Sequence, residues 1–330
     1  MQRIIVCIVL NCLLVLSARA QFGYATNPGG TTVTITSYSG PLDVIIPSTI
    51  NGLAVTSIGD NAFGNDGITS VWIPYGVTNI GHSAFNSSLN LTNIEIPDSV
   101  TTIGDSAFLG AGLTSLIVPS SVTNMGDAAF GGLGDLTNLT LEYGISDIQS
   151  GSFSGFALTS VTIPSSVTNI GSGAFSPCDY LTSIFFKGNA PTVDSTVFRS
   201  WAFFGLRNPV VSNYYSATAY YLPGTTGWSE FSSNTLMAAM EGSPTNEFIP
   251  TVLWSPTIQV AGTNFGVQNG QYGFDVTATT NLPIAIEACD DLTQSNWVVL
   301  QRLTLTNGLY HFSEPFLSNS MSRFYRIGFP

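Results

Sequence analysis

"LTSVTIPSSVTNIGSGAF" occupies Leu158–Phe175, and close variants of the same line stand at 68–85, 91–108 and 113–130. Val161 and Ile163 are two apart, so on an extended backbone they share one face and Thr162 takes the other. Pro164 ends that strand, because a residue without an N–H cannot continue a ladder. Val167 and Ile170 point back to the same interior and Gly171 opens a corner. "SGAF" reads as one short helical turn, capped by the Asp or Ser found there, with Phe175 plugging the coil. Copies align on Pro47, Pro74, Pro97, Pro119, Glu142 and Pro164. They align equally on Phe63, Phe85, Phe108, Phe130, Phe153 and Phe175, spaced 22, 23, 22, 23 and 22 apart. A fixed period of this length is the mark of a solenoid. The apolar side chains of one unit do not offset the entropy of ordering its backbone, whereas stacked units share one core.

The pattern L-x-x-[IV]-x-I-P-x-x-V-x-x-I-G-x-x-A-F resembles the BspA-type leucine-rich repeat, a family of bacterial and protist surface proteins, over 42–198. The resemblance implies a right-handed solenoid with a strand-lined concave face, and adhesion or binding as the role. One unit departs from the pattern, with Glu142 for Pro, Gln149 for Gly and Ser152 for Ala. A local irregularity in the stack is expected there.

Around the repeats the chain divides into further parts. "MQRIIVCIVLNCLLVLSARA" has a basic Arg3, an apolar run from Ile4 to Leu16 and small residues at Ala18 and Ala20. It reads as a signal peptide over 1–20, cleaved near Ala20, and its apolar run is shorter than the roughly 20 residues of a membrane span. Residues 21–41 form an N-terminal cap. In 199–254, irregular insertions separate closing strands at 216–228 and 250–254, with a loop or short helix at 232–249. From about Ser255, runs such as "YGFDVTA" and "LPIAIEACD" alternate between turn signals. They make 255–330 a small antiparallel β-sandwich similar to C-terminal modules of secreted bacterial repeat proteins. The fold class is mainly β with short helical turns: a leucine-rich-repeat solenoid followed by that sandwich.

Charge narrows the function. The formal net charge is −12, and without Arg3 and Arg19 six bases face 20 acids, near −14. No Lys or Arg occurs from Gln21 to Phe186. Nucleic acid, which needs a basic footprint, is excluded, as are anionic membranes and membrane insertion. Past the leader only Cys178 and Cys289 remain, in different parts, so buried free thiols are expected instead of a disulfide framework. His82 and His311 lie far apart in the pattern, and no nucleophile–base or acid pair stands out, so no enzyme, cofactor or metal is expected. Asp60, Asp105 and Asp127 hold one repeated place beside the Gly, where capping or a calcium ladder would suit them.

What remains is a surface. The residue before the second apolar position of each strand faces outward on the concave side: Ile45, Trp72, Glu95, Ile117, Thr140, Thr162 and Phe185. Columns of Ser/Asn and of Thr run beside it and read as ladders that hold register. Trp72, Ile117 and Phe185 are large apolar groups of the kind that anchor recognition surfaces. The expectation is a monomeric secreted or cell-surface scaffold that binds a protein or glycan partner through this column. A carbohydrate-binding role through Trp72 or the C-terminal aromatics is the alternative.

Overall fold

Each repeat closes one coil of a β-solenoid in the computed structural model, which describes residues 21–64, 67–178, 180–193, 197, 217–234, 251–293, 296–315 and 323–328. The leader reading of 1–20 and most of the two insertions lie outside the described residues. The strands read from the repeat stack in parallel: Asp43–Ile45, Ser70–Trp72, Asn93–Glu95, Ser115–Val118, Asn138–Leu141, Ser160–Ile163 and Ser183–Phe186. Register is kept by equivalent residues, such as Asp43 opposite Ser70 opposite Asn93. The Thr column reinforces it. Thr182 donates both its N–H (2.9 Å) and its hydroxyl (3.0 Å) to the Thr159 carbonyl.

A second parallel ladder was not legible in the repeat. The "NI" dipeptides Asn79–Ile80, Thr102–Ile103, Asn124–Met125, Asp147–Ile148 and Asn169–Ile170 are two-residue strands, too short to show a period. The "GAF" segments make a third set of contacts and are not helical. Ala84, Ala107 and Ala174 close turns onto Gly81, Gly104 and Gly171. The residue before each Ala has left-handed backbone: Asn61 (φ 57°), Ser83 (51°), Ser106 (55°), Ala128 (52°) and Gly173 (63°). The next backbone amide, that of the Phe, binds across coils, as in Phe85 N–H to the Ala107 carbonyl at 2.7 Å.

This geometry corrects the reading of the repeated Gly and Asp. Gly81, Gly104, Gly126 and Gly171 carry no positive φ. A Cβ on them would lie 2.2–2.8 Å from atoms of the preceding coil, so these glycines permit coils to stack closely. The Asp beside them binds the next coil and does not cap its own turn. Asp60 accepts from His82 N–H (2.8 Å), and Asp105 from Asp127 N–H (3.0 Å).

The repeated Phe residues form one spine. Phe63, Phe85, Phe108 and Phe130 stack with ring centroids 5.1 Å apart and interplanar angles under 10°. The N-terminal hairpin Gln21–Thr26/Thr32–Ser39 extends it with Tyr38 and Phe22, and its inner strand lies parallel to Leu53–Ile58. The spacing widens to 5.8 Å between Phe130 and Phe153, in the coil that departs from the pattern. There, where Gln149 replaces Gly, the second ladder is interrupted between Asn124–Met125 and Asp147–Ile148. Glu142, in place of Pro, reaches back to accept from Ser120 N–H at 3.0 Å.

At the far end Thr218–Tyr221 and Thr251–Leu253 add two more parallel strands to the long ladder. A helix spans Trp228–Asn234 and seats Trp228 and Phe231 against Phe186 at 5.0 and 5.2 Å; the loop or short helix expected at 232–249 lies, from residue 235 on, outside the described residues. Two antiparallel sheets follow. One holds Thr257–Gln259, Gly266–Gln268, Gln271–Thr277 and Leu309–Pro315, the other Leu282–Cys289, Val298–Leu305 and Phe324–Gly328. Among the described residues no helix is long and apolar enough to cross a membrane. Cys178 and Cys289 are not joined. The half-buried Cys178 donates to the Phe153 carbonyl and Cys289 is buried in the sandwich.

Candidate binding face

The outward column is register-matched within three sheets, interrupted between Asn93–Glu95 and Ser115–Val118 and between Asn138–Leu141 and Ser160–Ile163. Ile45 stands opposite Trp72 and Trp72 opposite Glu95; Ile117 stands opposite Thr140, and Thr162 opposite Phe185. Parallel strands sit about 4.8 Å apart, so the first four positions span roughly 14 Å. Ile45 is 70% exposed, Trp72 51% and Ile117 58%, with Glu95 and Thr140 also exposed. Ile45 and Trp72 share one three-stranded sheet and Ile117 stands in the next, two-stranded one; an isolated exposed apolar residue is ordinary, whereas several along one face form a patch. At the edge, Asp43 accepts from the hydroxyls of Ser70 (2.8 Å) and Thr69 (2.9 Å). Those bonds hold its carboxyl below the usual range, Ser70 contributing most.

The other end of the column is occupied. Thr162 is half-buried, and Phe185, expected on the open face, is only 2% exposed. Phe185 does point outward from the solenoid interior, but it stacks on Tyr220 at 5.1 Å. Both belong to a second core with Trp254 and with Phe274, Leu282, Ile284 and Phe312 of the sandwich. Tyr220 Oη donates to the Asn281 carbonyl (3.2 Å) and Trp254 Nε1 to that of Pro283 (2.8 Å). Burial raises the Tyr220 phenol above its ordinary value. The sandwich therefore packs on the last strands of the long ladder, and Phe185 is part of that joint.

Sequence reasoning missed Tyr75, 79% exposed, and Leu42, which flank Trp72 and Ile45 at the strand ends. The signal was available: Tyr75 follows Pro74 where sibling units place Asp98, Ser120 or Ser165. The two histidines sit apart. His82 Nε2 is 3.2 Å from the Ser83 hydroxyl, while Asp60 takes the backbone N–H of His82 and not its ring. His311 pairs with Asp275 in the sandwich. Among the described residues, no three His, Cys, Asp or Glu side chains cluster as metal ligands.

Comparisons with known proteins place the repeats. A family model described as "BspA type Leucine rich repeat region" matches in six copies, over residues 56–182 and 101–204. A search of the curated proteins returns no match. Among solved structures, a leucine rich cell surface protein from Faecalibacterium prausnitzii is similar at 30% identity. The match covers 54% of this chain and 57% of that one, with a TM-score of 0.42. The T. pallidum leucine rich repeat protein is also 30% identical, over 50% of this chain and 68% of that one, with a TM-score of 0.38. The pneumococcal vaccine antigen PcpA is 22% identical, over 53% of this chain and 51% of that one, with a TM-score of 0.45. The chain spans about half to two-thirds of the length of these structures.

Proposed function

Because the repeats over 56–204 are BspA-type leucine-rich repeats, we propose that this protein is a recognition scaffold. It binds a macromolecular partner through the open half of its long-strand ladder. The site is Ile45, Trp72 and Ile117, with Glu95 and Thr140 as the polar component of the same row. The observation that carries the reading is the fate of the column itself. Where it continues as Phe185 and Tyr220 it is covered by apolar sandwich residues, while its first half is exposed. The row thus contains an example of what it packs against: an apolar protein surface. Export to the cell exterior or surface rests on the leader reading of 1–20, and adhesion is the use of such a face there.

The test is capture. The chain from Gln21, and a variant carrying Ile45→Ser, Trp72→Ser and Ile117→Ser, are used to draw partners from envelope and extracellular extracts. A partner held by the first and lost by the second, at unchanged melting temperature, supports the reading. Equal capture by both sinks it. Trp72, with a half-exposed indole, also suits stacking on a sugar ring. Retention on a polysaccharide column that Trp72→Ala abolishes would favour that alternative.

A further inference from the structure

The outer face of the sandwich's first sheet carries a cleft of about 230 Å³, lined by Asn264, Gln268, Asn269, Gln271, His311 and Ser313 with Gly266 and Gly273. Its construction is local. Asn269 (φ 51°) and Gly270 (φ 77°) make the two-residue turn that joins Gly266–Gln268 to Gln271–Thr277, as such hairpins require. Gln271, Gly273 and Asp275 alternate onto one face. His311 stands opposite Asp275 and Ser313 opposite Gly273. A Cβ on Gly273 would meet the His311 ring at 3.2 and 3.3 Å and the Phe312 carbonyl at 2.9 Å. The imidazole therefore lies over a position that only glycine leaves free.

Its orientation is fixed from the other side. His311 Nδ1 is 2.7 Å from Asp275 Oδ1, and Asn264 Nδ2 donates to Asp275 Oδ2 at 2.9 Å. These bonds, that from Asn264 foremost, hold the Asp275 carboxyl below its ordinary range. An ionised Asp275 keeps the proton on Nδ1 and leaves Nε2 for a ligand.

The lining selects a ligand class. It contains no Lys or Arg, so nothing there neutralises an anion. The adjacent carboxylate has both oxygens engaged, which disfavours a cation. What is left is carboxamides, a hydroxyl and an imidazole nitrogen, groups that both donate and accept. We infer that this cleft binds a single neutral sugar ring, free or at the end of a glycan. Hydroxyls pair with the side-chain amides, the Ser313 hydroxyl and His311. The volume is below the roughly 300–1,000 Å³ of clefts for drug-sized ligands, which suits one ring. This site is separate from the strand face and stands or falls independently of it.

Saturation-transfer NMR on the chain from Gln21 tests it, with glucose, galactose, mannose and N-acetylglucosamine as probes and acetate as the anionic control. Transfer to at least one sugar and none to acetate is expected. Affinity should fall at least tenfold in His311→Ala and in the surface-exposed Gln271→Ala, and be unchanged in Trp72→Ser. Gln271→Ala decides the matter if His311→Ala melts early. No transfer to any sugar, or full binding by Gln271→Ala, would overturn the assignment. So would binding lost in Trp72→Ser alone.

Discussion

Ala128 sits at φ 52°, in the turn position that its neighbours fill with Ser106 and Gly151. An L-residue pays about 1–2 kcal/mol for that conformation, and glycine gives back roughly 0.5–1 through lost backbone entropy. Ala128→Gly should therefore stabilise the protein by up to about 1 kcal/mol in chemical denaturation. Gly104→Ala should do the reverse. Its new methyl would lie 2.7 Å from the His82 backbone nitrogen, and crowding of this kind costs about 1–3 kcal/mol. Both glycine-type positions are visible in the sequence, but their causes are not. The repeat shows that Gly81, Gly104 and Gly126 recur. It does not show that the reason is the neighbouring coil, because that contact runs between residues 21 to 23 apart. The turn conformation two residues later is hidden for a related reason: Asn, Ser, Ala and Gly all occupy it.

At the scale of the element, the coil is defined by what it stacks on. Phe108 has a parallel ring 5.1 Å away on each side and is fully buried. Phe108→Ala should cost about 3–5 kcal/mol. In a stack whose units contact only their neighbours, the loss should broaden the denaturation curve as the halves uncouple. Phe175→Ala, next to a less regular contact of 5.6 Å and 22°, should cost less. A sharp, merely shifted transition for Phe108→Ala would show that the coils do not depend on the spine for their coupling. The spine, the long strands and the irregular coil at Glu142–Ser152 were all legible, because each is written as a period or a departure from one. The two-residue strands of the second ladder were not. Their pairing lies wholly between coils, and a dipeptide carries no alternation to read.

At the scale of the molecule, the joint between solenoid and sandwich decides how much of the outward column is free. Phe185 points outward, as its place in the column implies, but it is covered and not open. Its cover comes from Tyr220 and from sandwich residues 89 to 127 positions later, and a single sequence carries no record of such a contact. Since Tyr220, Trp254 and the sandwich share one core, the two parts should unfold together in calorimetry. Trp254→Phe, which leaves the Pro283 carbonyl without its donor, should lower that shared transition by about 1–3 kcal/mol. Two separate transitions in the unaltered chain would contradict the shared core. The same joint leaves Ile45, Trp72 and Ile117 as the open length of the row, and the central claim is that a partner covers them. Hydroxyl-radical footprinting of the chain, alone and bound to a partner captured from surface extracts, tests it most directly. Trp72 should be oxidised in the free chain and protected in the complex, while the buried Phe185 stays unreactive in both. Trp72 oxidised equally in the two states would place the partner elsewhere.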